Sequence, residues 1–124
     1  MTKETNGRDT FRFLEWPVYN DAQEVFNEIM DIVKALPNEI KYTLGGQVTR
    51  SALSIVLNIA EGSGRGTDKE LNHFFNIALG SLNETVAALD ALLRSGHMSQ
   101  KKFGGLLERL ASISRQLSGF KKTL

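Results

Sequence analysis

From Phe103 to Leu124 a set of large apolar side chains falls at Phe103, Leu106, Leu110, Ile113, Leu117, Phe120 and Leu124. The steps are three and four in strict alternation, which lays them along one narrow stripe of an α-helix. Such a stripe is the seam of a bundle or coiled coil, and it must be buried against other helices. The rest of the chain offers those helices. Between Pro17 and Pro37 the positions Val18, Ala22, Val25, Ile29, Ile32 or Val33, and Leu36 keep helical spacing. Proline suits the first turn of a helix, so Pro17 starts this one and Pro37 ends it. A long helix over Asp68–Arg94 carries Leu71, Phe75, Ala78, Leu82, Thr85 or Val86, Leu89, and Leu92 or Leu93. Thr67 and Glu70 form a capping box at its start, and Gly96 is a C-terminal stop. Its Gly80-Ser81 pair predicts a close helix crossing. Ser99 caps the last helix.

No segment shows the period-two alternation of a strand, and the connections between helices are short. The sequence therefore predicts an all-α, antiparallel, up-down-up-down four-helix bundle over residues 11–124, behind a disordered segment at residues 1–10. Phe11, Phe13, Leu14 and Trp16 form an apolar cluster just ahead of the first helix. A chain of 124 residues, 41% hydrophobic and 23% charged, fits one domain with a modest core. No run of about 18 apolar residues is long enough to span a membrane, and the polar N-terminus lacks the apolar stretch of a signal peptide. Cysteine is absent, which removes disulfides and thiolate metal sites and fits a cytoplasmic location.

The second helix, Gln47 to about Glu61, is the unusual one. One stripe is Leu44, Val48, Ala52, Ile55 and Ile59; a second is Leu53, Val56, Leu57 and Ala60. Only a narrow face, Gln47, Arg50, Ser54, Asn58 and Glu61, is polar. A helix apolar on nearly two sides needs more than one neighbour, and a second copy of the chain can be one of them. The predicted oligomer interface is Leu53, Ile55, Val56, Leu57, Asn58 and Glu61. The polar face either lies in solvent or, if both stripes are buried, needs hydrogen-bond partners and fixes register between packed surfaces. In a ring of copies it can also line a channel. Gly45 and Gly46 each weaken the start of this helix by about 1 kcal/mol, for which close backbone approach is a use.

A net charge of +1 hides an uneven distribution. Val18–Pro37 holds four acids (Asp21, Glu24, Glu28, Asp31) and one base (Lys34), whereas Ser99–Leu124 holds six bases (Lys101, Lys102, Arg109, Arg115, Lys121, Lys122) and one acid (Glu108). Two readings follow: internal complementarity between the first and last helices, or the footprint of an anionic partner.

Catalytic motifs fail on inspection. Glu70-Leu71-Asn72-His73 matches the Glu-x-x-His element of di-iron bundles, but those sites need the element twice plus two more carboxylates, and His97 has Arg94 three residues before it. Gly62–Lys69 has Thr67 where both phosphate-loop templates require glycine, and Asp68 and Glu70 occupy the following first turn, where they repel phosphate. It reads as a helix-helix turn. Glu61 and Glu84 can be taken as paired carboxylates, but Glu61 is equally placed to pair with Arg65. No catalytic residue, cofactor or metal is expected, and the chain is not expected to be an enzyme.

One segment carries a family resemblance. Gln47-x-x-Arg50-x-Ala52-x-Ser54-Ile55-x-x-Asn58-Ile59-Ala60-Glu61-Gly62-x-Gly64-Arg65 resembles the signature of a four-helix-bundle family whose founding members are called 23S rRNA intervening-sequence proteins. Val18-Tyr19-x-x-Ala22 and Phe75-x-x-Ala78-x-Gly80-Ser81-Leu82-x-Glu84 are similar to its other motifs, so the resemblance spans about Phe11 to Leu93. The chain departs from the family in having Val56 where proline is frequent and Tyr19 where tryptophan is frequent. The resemblance implies a homopentamer, and a related branch is the accessory protein of diversity-generating retroelements, which binds a reverse transcriptase and nucleic acid. It implies no catalytic residues. The expected function is a non-enzymatic oligomeric adaptor for RNA, DNA or a nucleic-acid enzyme, binding through Arg50, Arg65, Lys101, Lys102, Arg109, Arg115, Lys121 and Lys122. The alternative is a structural or protein-interaction module with no nucleic-acid role, which the near-neutral charge favours.

Overall fold

A computed structural model describes residues 6–124 of the chain. A single 3-10 turn, Arg12–Glu15, leads into α1 (Pro17–Lys34). After the one-turn α2 (Asn38–Lys41) come α3 (Leu44–Ser63), α4 (Asp68–Arg94) and α5 (Gln100–Lys121). Among the described residues there is no strand. The four long helices pack as a ring, α1 on α3, α3 on α4, α4 on α5 and α5 back on α1, which is the four-helix bundle. The disordered segment expected at residues 1–10 falls in its first half outside the described residues. Residues 6–10 form turns, in which Thr10 N–H donates to the Gly7 carbonyl (3.2 Å), and Arg8 pairs with Glu15.

The helix ends follow the local chemistry. Trp16 precedes Pro17, whose fixed φ suits the first helical position and whose missing N–H costs nothing there. The Thr67 hydroxyl oxygen accepts from Glu70 N–H (3.2 Å), and that of Ser99 accepts from Lys102 N–H (3.2 Å). Gly96 takes φ +82° in the stop after α4, a left-handed conformation that glycine adopts without the strain of a Cβ. α3 runs to Ser63, one short step past the expected Glu61, and its Gly62 is buried where α3 and α4 cross. A Cβ on Gly62 would stand 3.0 Å from Leu71 Cδ1 and 3.2 Å from Phe74 Cβ, so the crossing needs glycine.

The core follows the stripes. Val25, Ile29, Val48, Ile55, Ile59, Phe75, Leu89, Leu92, Leu106, Leu110, Ile113 and Leu117 are fully buried. The open choices resolve to Thr85 over Val86 and Leu92 over Leu93. One end is closed by aromatic rings: Phe75 and Phe120 meet edge to face at 5.1 Å, and Trp16 lies 5.2 Å from Phe120. Gly45 does serve close approach, since a Cβ there would meet Val33 Cγ1 at 3.0 Å. Gly80 does not: it is exposed, a Cβ on it would meet nothing within 4 Å, and the crossing predicted there is made by its neighbour Ser81.

Candidate functional site

Inside the bundle, α3 and α4 are stitched by small hydroxyls. Ser54 Oγ and Ser81 Oγ are 2.7 Å apart. Thr85 Oγ1 donates to Ser51 Oγ at 2.8 Å, and Ser51 Oγ passes a bond to the Val48 carbonyl at 3.1 Å. Asn58 Nδ2 donates back to the Ser54 carbonyl (2.8 Å) and hydroxyl (3.1 Å). Thr85 and Ser51 are buried, and hydroxyls so placed need these partners. Of the predicted polar face, Ser54 and Asn58 are therefore half-buried toward α4, while Gln47, Arg50 and Glu61 are exposed. The fully buried pair, Ser51 and Thr85, belongs to the core. Ser51 sits three residues after Val48 and four before Ile55, so its place in the first apolar stripe is a signal the sequence already carries.

The predicted oligomer interface divides in two. Ile55 and Val56 are each 2% exposed and belong to the core of the single chain, because α1 covers the side of α3 on which Val56 projects. They have no surface left for a second copy, which corrects the expectation for both. Leu53 (37% exposed), Leu57 (56%) and the exposed Glu61 remain on the outer ridge of α3. Tyr19, Phe26 and Met30 of α1 are half-buried. Phe26 and Tyr19 share a helix side with Val33, which touches Gly45 of α3, since they precede it by seven and fourteen residues.

The eight predicted binding cations do not form one patch. Arg109 reaches back to α1, 2.9 Å from Glu24 and 3.8 Å from Glu28. Beside it Gln116 Nε2 donates to Asp21 (2.8 Å). The acidic first helix and basic last helix thus complement one another within the chain. Lys121 donates to Asn76 of α4, and Arg65 pairs with Glu61 while lying over the Phe74 ring at 4.6 Å. Lys101, Arg115 and Lys122 step along the outer face of α5 with Glu108 among them; its two ends are about 30 Å apart at 1.5 Å per residue. Arg50 and Lys102 are exposed and have no ion pair among the described residues.

The residues of the candidate catalytic motifs have other partners. Glu70 accepts from the Thr67 hydroxyl (3.1 Å), and His73 lies edge-on to Phe74 at 5.3 Å. Among the described residues no three His, Asp or Glu side chains come together as a metal-ligand set. Glu84 lies level with Ser51, next to Thr85, and is not brought to Glu61. The surface hollows include one of about 440 Å³, lined by Trp16, Pro17, Val18, Gln116, Gly119, Phe120 and Thr123, and one of about 570 Å³, lined by Arg65, Thr67, Lys69, Glu70, His73 and Phe74. In the second the Thr67 hydroxyl is bonded to Glu70 as part of the helix cap rather than to His73. Among the described residues no helix is long and apolar enough to cross a membrane.

Comparison with known proteins agrees with this architecture. The family model described as 23S rRNA-intervening sequence protein matches residues 15–119. The chain belongs to the 23S rRNA-intervening sequence protein family. Among solved structures it is similar to a protein of unknown function from the S23 ribosomal protein family of Bacteroides thetaiotaomicron VPI-5482. The TM-score is 0.79 and the identity 27%, covering 85% of this chain and 98% of that one. No curated protein sequence matches it significantly. In this family member, then, the segment from Gln47 to Arg65 is α3 with its crossing to α4, and its exposed large apolar residues are Leu53 and Leu57.

Proposed function

We propose that the chain is a non-enzymatic, homo-oligomeric adaptor that assembles through the outer face of α3. The observation that carries this reading is the exposure of Leu53 and Leu57 in mid-helix, while the neighbouring Ile55 and Val56 are buried. Leu53 and Leu57, four residues apart and so on one side of the helix, are both exposed, which is the kind of apolar strip that marks a contact site. The resemblance implies five copies. Light scattering on the wild type and on Leu57→Asp tests the reading: the wild type has a multiple of the chain mass, and the variant is a folded monomer. A wild type that is monomeric at the highest concentration reached contradicts it.

A nucleic-acid role has narrower support. Lys101 and Lys102 occupy the first turn of α5, which holds no acid of its own although Asp31 of α1 lines the same hollow as Lys102; the helix dipole is already positive there, and a bound phosphate offsets both charges. The remaining cations are spent internally or spread over the surface, so α5 presents this end alone as an anion-facing site. A mobility shift with structured RNA or DNA at low salt, lost as salt rises and lost in Lys101→Gln/Lys102→Gln, supports the role. No shift at micromolar protein leaves the protein-interaction module, with a nucleic-acid enzyme such as a reverse transcriptase or another protein as its partner.

A further inference from the structure

The start of α1 and the end of α5 together line the surface hollow of about 440 Å³, a volume within the range of small-molecule sites. Its walls are largely apolar: Trp16, Pro17 and Val18 on the α1 side and Phe120 on the α5 side, with the Trp16 and Phe120 rings 5.2 Å apart. Gly119 also stands on the α5 side. A Cβ on it would meet nothing within 4 Å, so the glycine has no packing use inside the chain, and its missing side chain leaves the hollow wider. The polar side chains of α5 that line the hollow have acceptors to spare and no free donor. Gln116 Nε2 donates to Asp21 Oδ2 (2.8 Å) and to Ser112 Oγ (3.3 Å). A carboxylate only accepts, so the amide nitrogen faces Asp21, and the amide oxygen is what Gln116 has left to offer. The Thr123 hydroxyl donates to the Phe120 carbonyl (2.7 Å), which leaves its lone pairs.

Next to Gln116, Asp21 is a half-buried carboxylate with no ion pair among the described residues. The cations of α5 do not supply one: Arg109 is held by Glu24 and Glu28, Lys121 by Asn76 of α4, and Arg115 and Lys122 are exposed. The α5 end is the negative pole of its helix and the α1 start is the positive pole of its own, so the two offset and the side chains set the sign of the hollow. We propose that this hollow binds a small organic cation, an ammonium carried on an aromatic or branched apolar body. The body packs on Trp16, Val18 and Phe120. The ammonium donates to the Gln116 amide oxygen within the field of Asp21, and the faces of aromatic rings add to the attraction. An anion meets lone pairs and a carboxylate there, and a neutral apolar molecule leaves Asp21 without a counter-charge. The site uses no residue of α3 and does not depend on the assembly proposed above.

Trp16 is the only tryptophan of the chain, so its fluorescence reports on the hollow directly. The test titrates the full chain with phenethylammonium and, as matched neutral and anionic probes, with phenethyl alcohol and phenylpropionate. A saturable change in Trp16 emission is expected for the ammonium, with a dissociation constant in the millimolar range or below, as suits so small a ligand. It should bind about 5-fold or more tighter than either matched probe. Gly119→Leu fills the hollow from an exposed helical position and should weaken binding by about 10-fold or more. Asp21→Asn, which keeps an acceptor for Gln116, should weaken the ammonium by about 3-fold or more and leave the alcohol unchanged. Circular dichroism checks that both variants fold, and the amide chemical shifts of Gln116 and Gly119 locate the probe in the wild type without any variant. The proposal is overturned if the ammonium gives no saturable change in emission or in those shifts. It is equally overturned if the alcohol binds as well as the ammonium, or if either folded variant binds the ammonium as the wild type does.

Discussion

The α3–α4 hairpin and the α1–α5 pair are held by different means, although both bury apolar stripes. The hairpin is close: glycine at the crossing, buried hydroxyls bonded across the interface, and Thr67 capping the return. The α1–α5 contact has an apolar seam of Leu106, Leu110, Ile113 and Leu117 and is clipped at its edge by the partly exposed Arg109, Glu24 and Glu28. α5 also carries Gly104, Gly105 and Gly119, none of which a Cβ would bring into contact with anything. The hairpin is therefore intolerant of added volume, whereas α5 has weak points that added methyl groups can repair.

Substitutions can break this contrast, all measured by denaturant unfolding at one fixed chain concentration, since assembly adds to apparent stability. The largest effect is expected at the seam: Leu110→Ala should cost about 2–5 kcal/mol, because a fully buried leucine leaves a cavity. Gly62→Val should cost about 1–3 kcal/mol by forcing Leu71 and Phe74 apart. A neutral Gly62→Val would show that the crossing is loose and would remove the difference between the two pairs. Gly119→Ala should instead stabilise, by about 0.5–1 kcal/mol, through helix propensity alone. Smallest is Arg109→Gln, a loss of less than about 1 kcal/mol that shrinks as salt is raised, as for an ion pair open to water. A loss from Arg109→Gln as large as that from Leu110→Ala would mean that charge, not the seam, holds α5.

The fold is readable in the sequence because each helix announces itself twice, by its stripe and by its ends: Pro17, the Thr67–Glu70 cap, Gly96 and Ser99 are where the periodicity says they should be. The assembly surface is only half readable. Periodicity places Ile55, Val56 and Leu57 on their sides of α3, but which neighbour covers each side depends on where α1 lies, and that is a tertiary fact. Periodicity therefore groups Val56 with Leu57, although one is buried and the other stands in solvent. The scatter of the basic residues is hidden for a similar reason. Arg109 counts toward a positive helix until its position beside Glu24 and Glu28 is known.

The central claim is that α3 has one side committed to its own chain and one side committed to a second copy. Ile55→Asp and Leu57→Asp, two residues apart on that helix, test it when thermal melts and solution mass are measured together. Ile55→Asp should unfold the chain or lower its melting temperature steeply, since a carboxylate has no partner in the core. Leu57→Asp should melt near the wild type, apart from what dissociation removes, and run as a folded monomer. The account is contradicted if Leu57→Asp keeps the wild-type mass, or if Ile55→Asp gives a stable folded monomer.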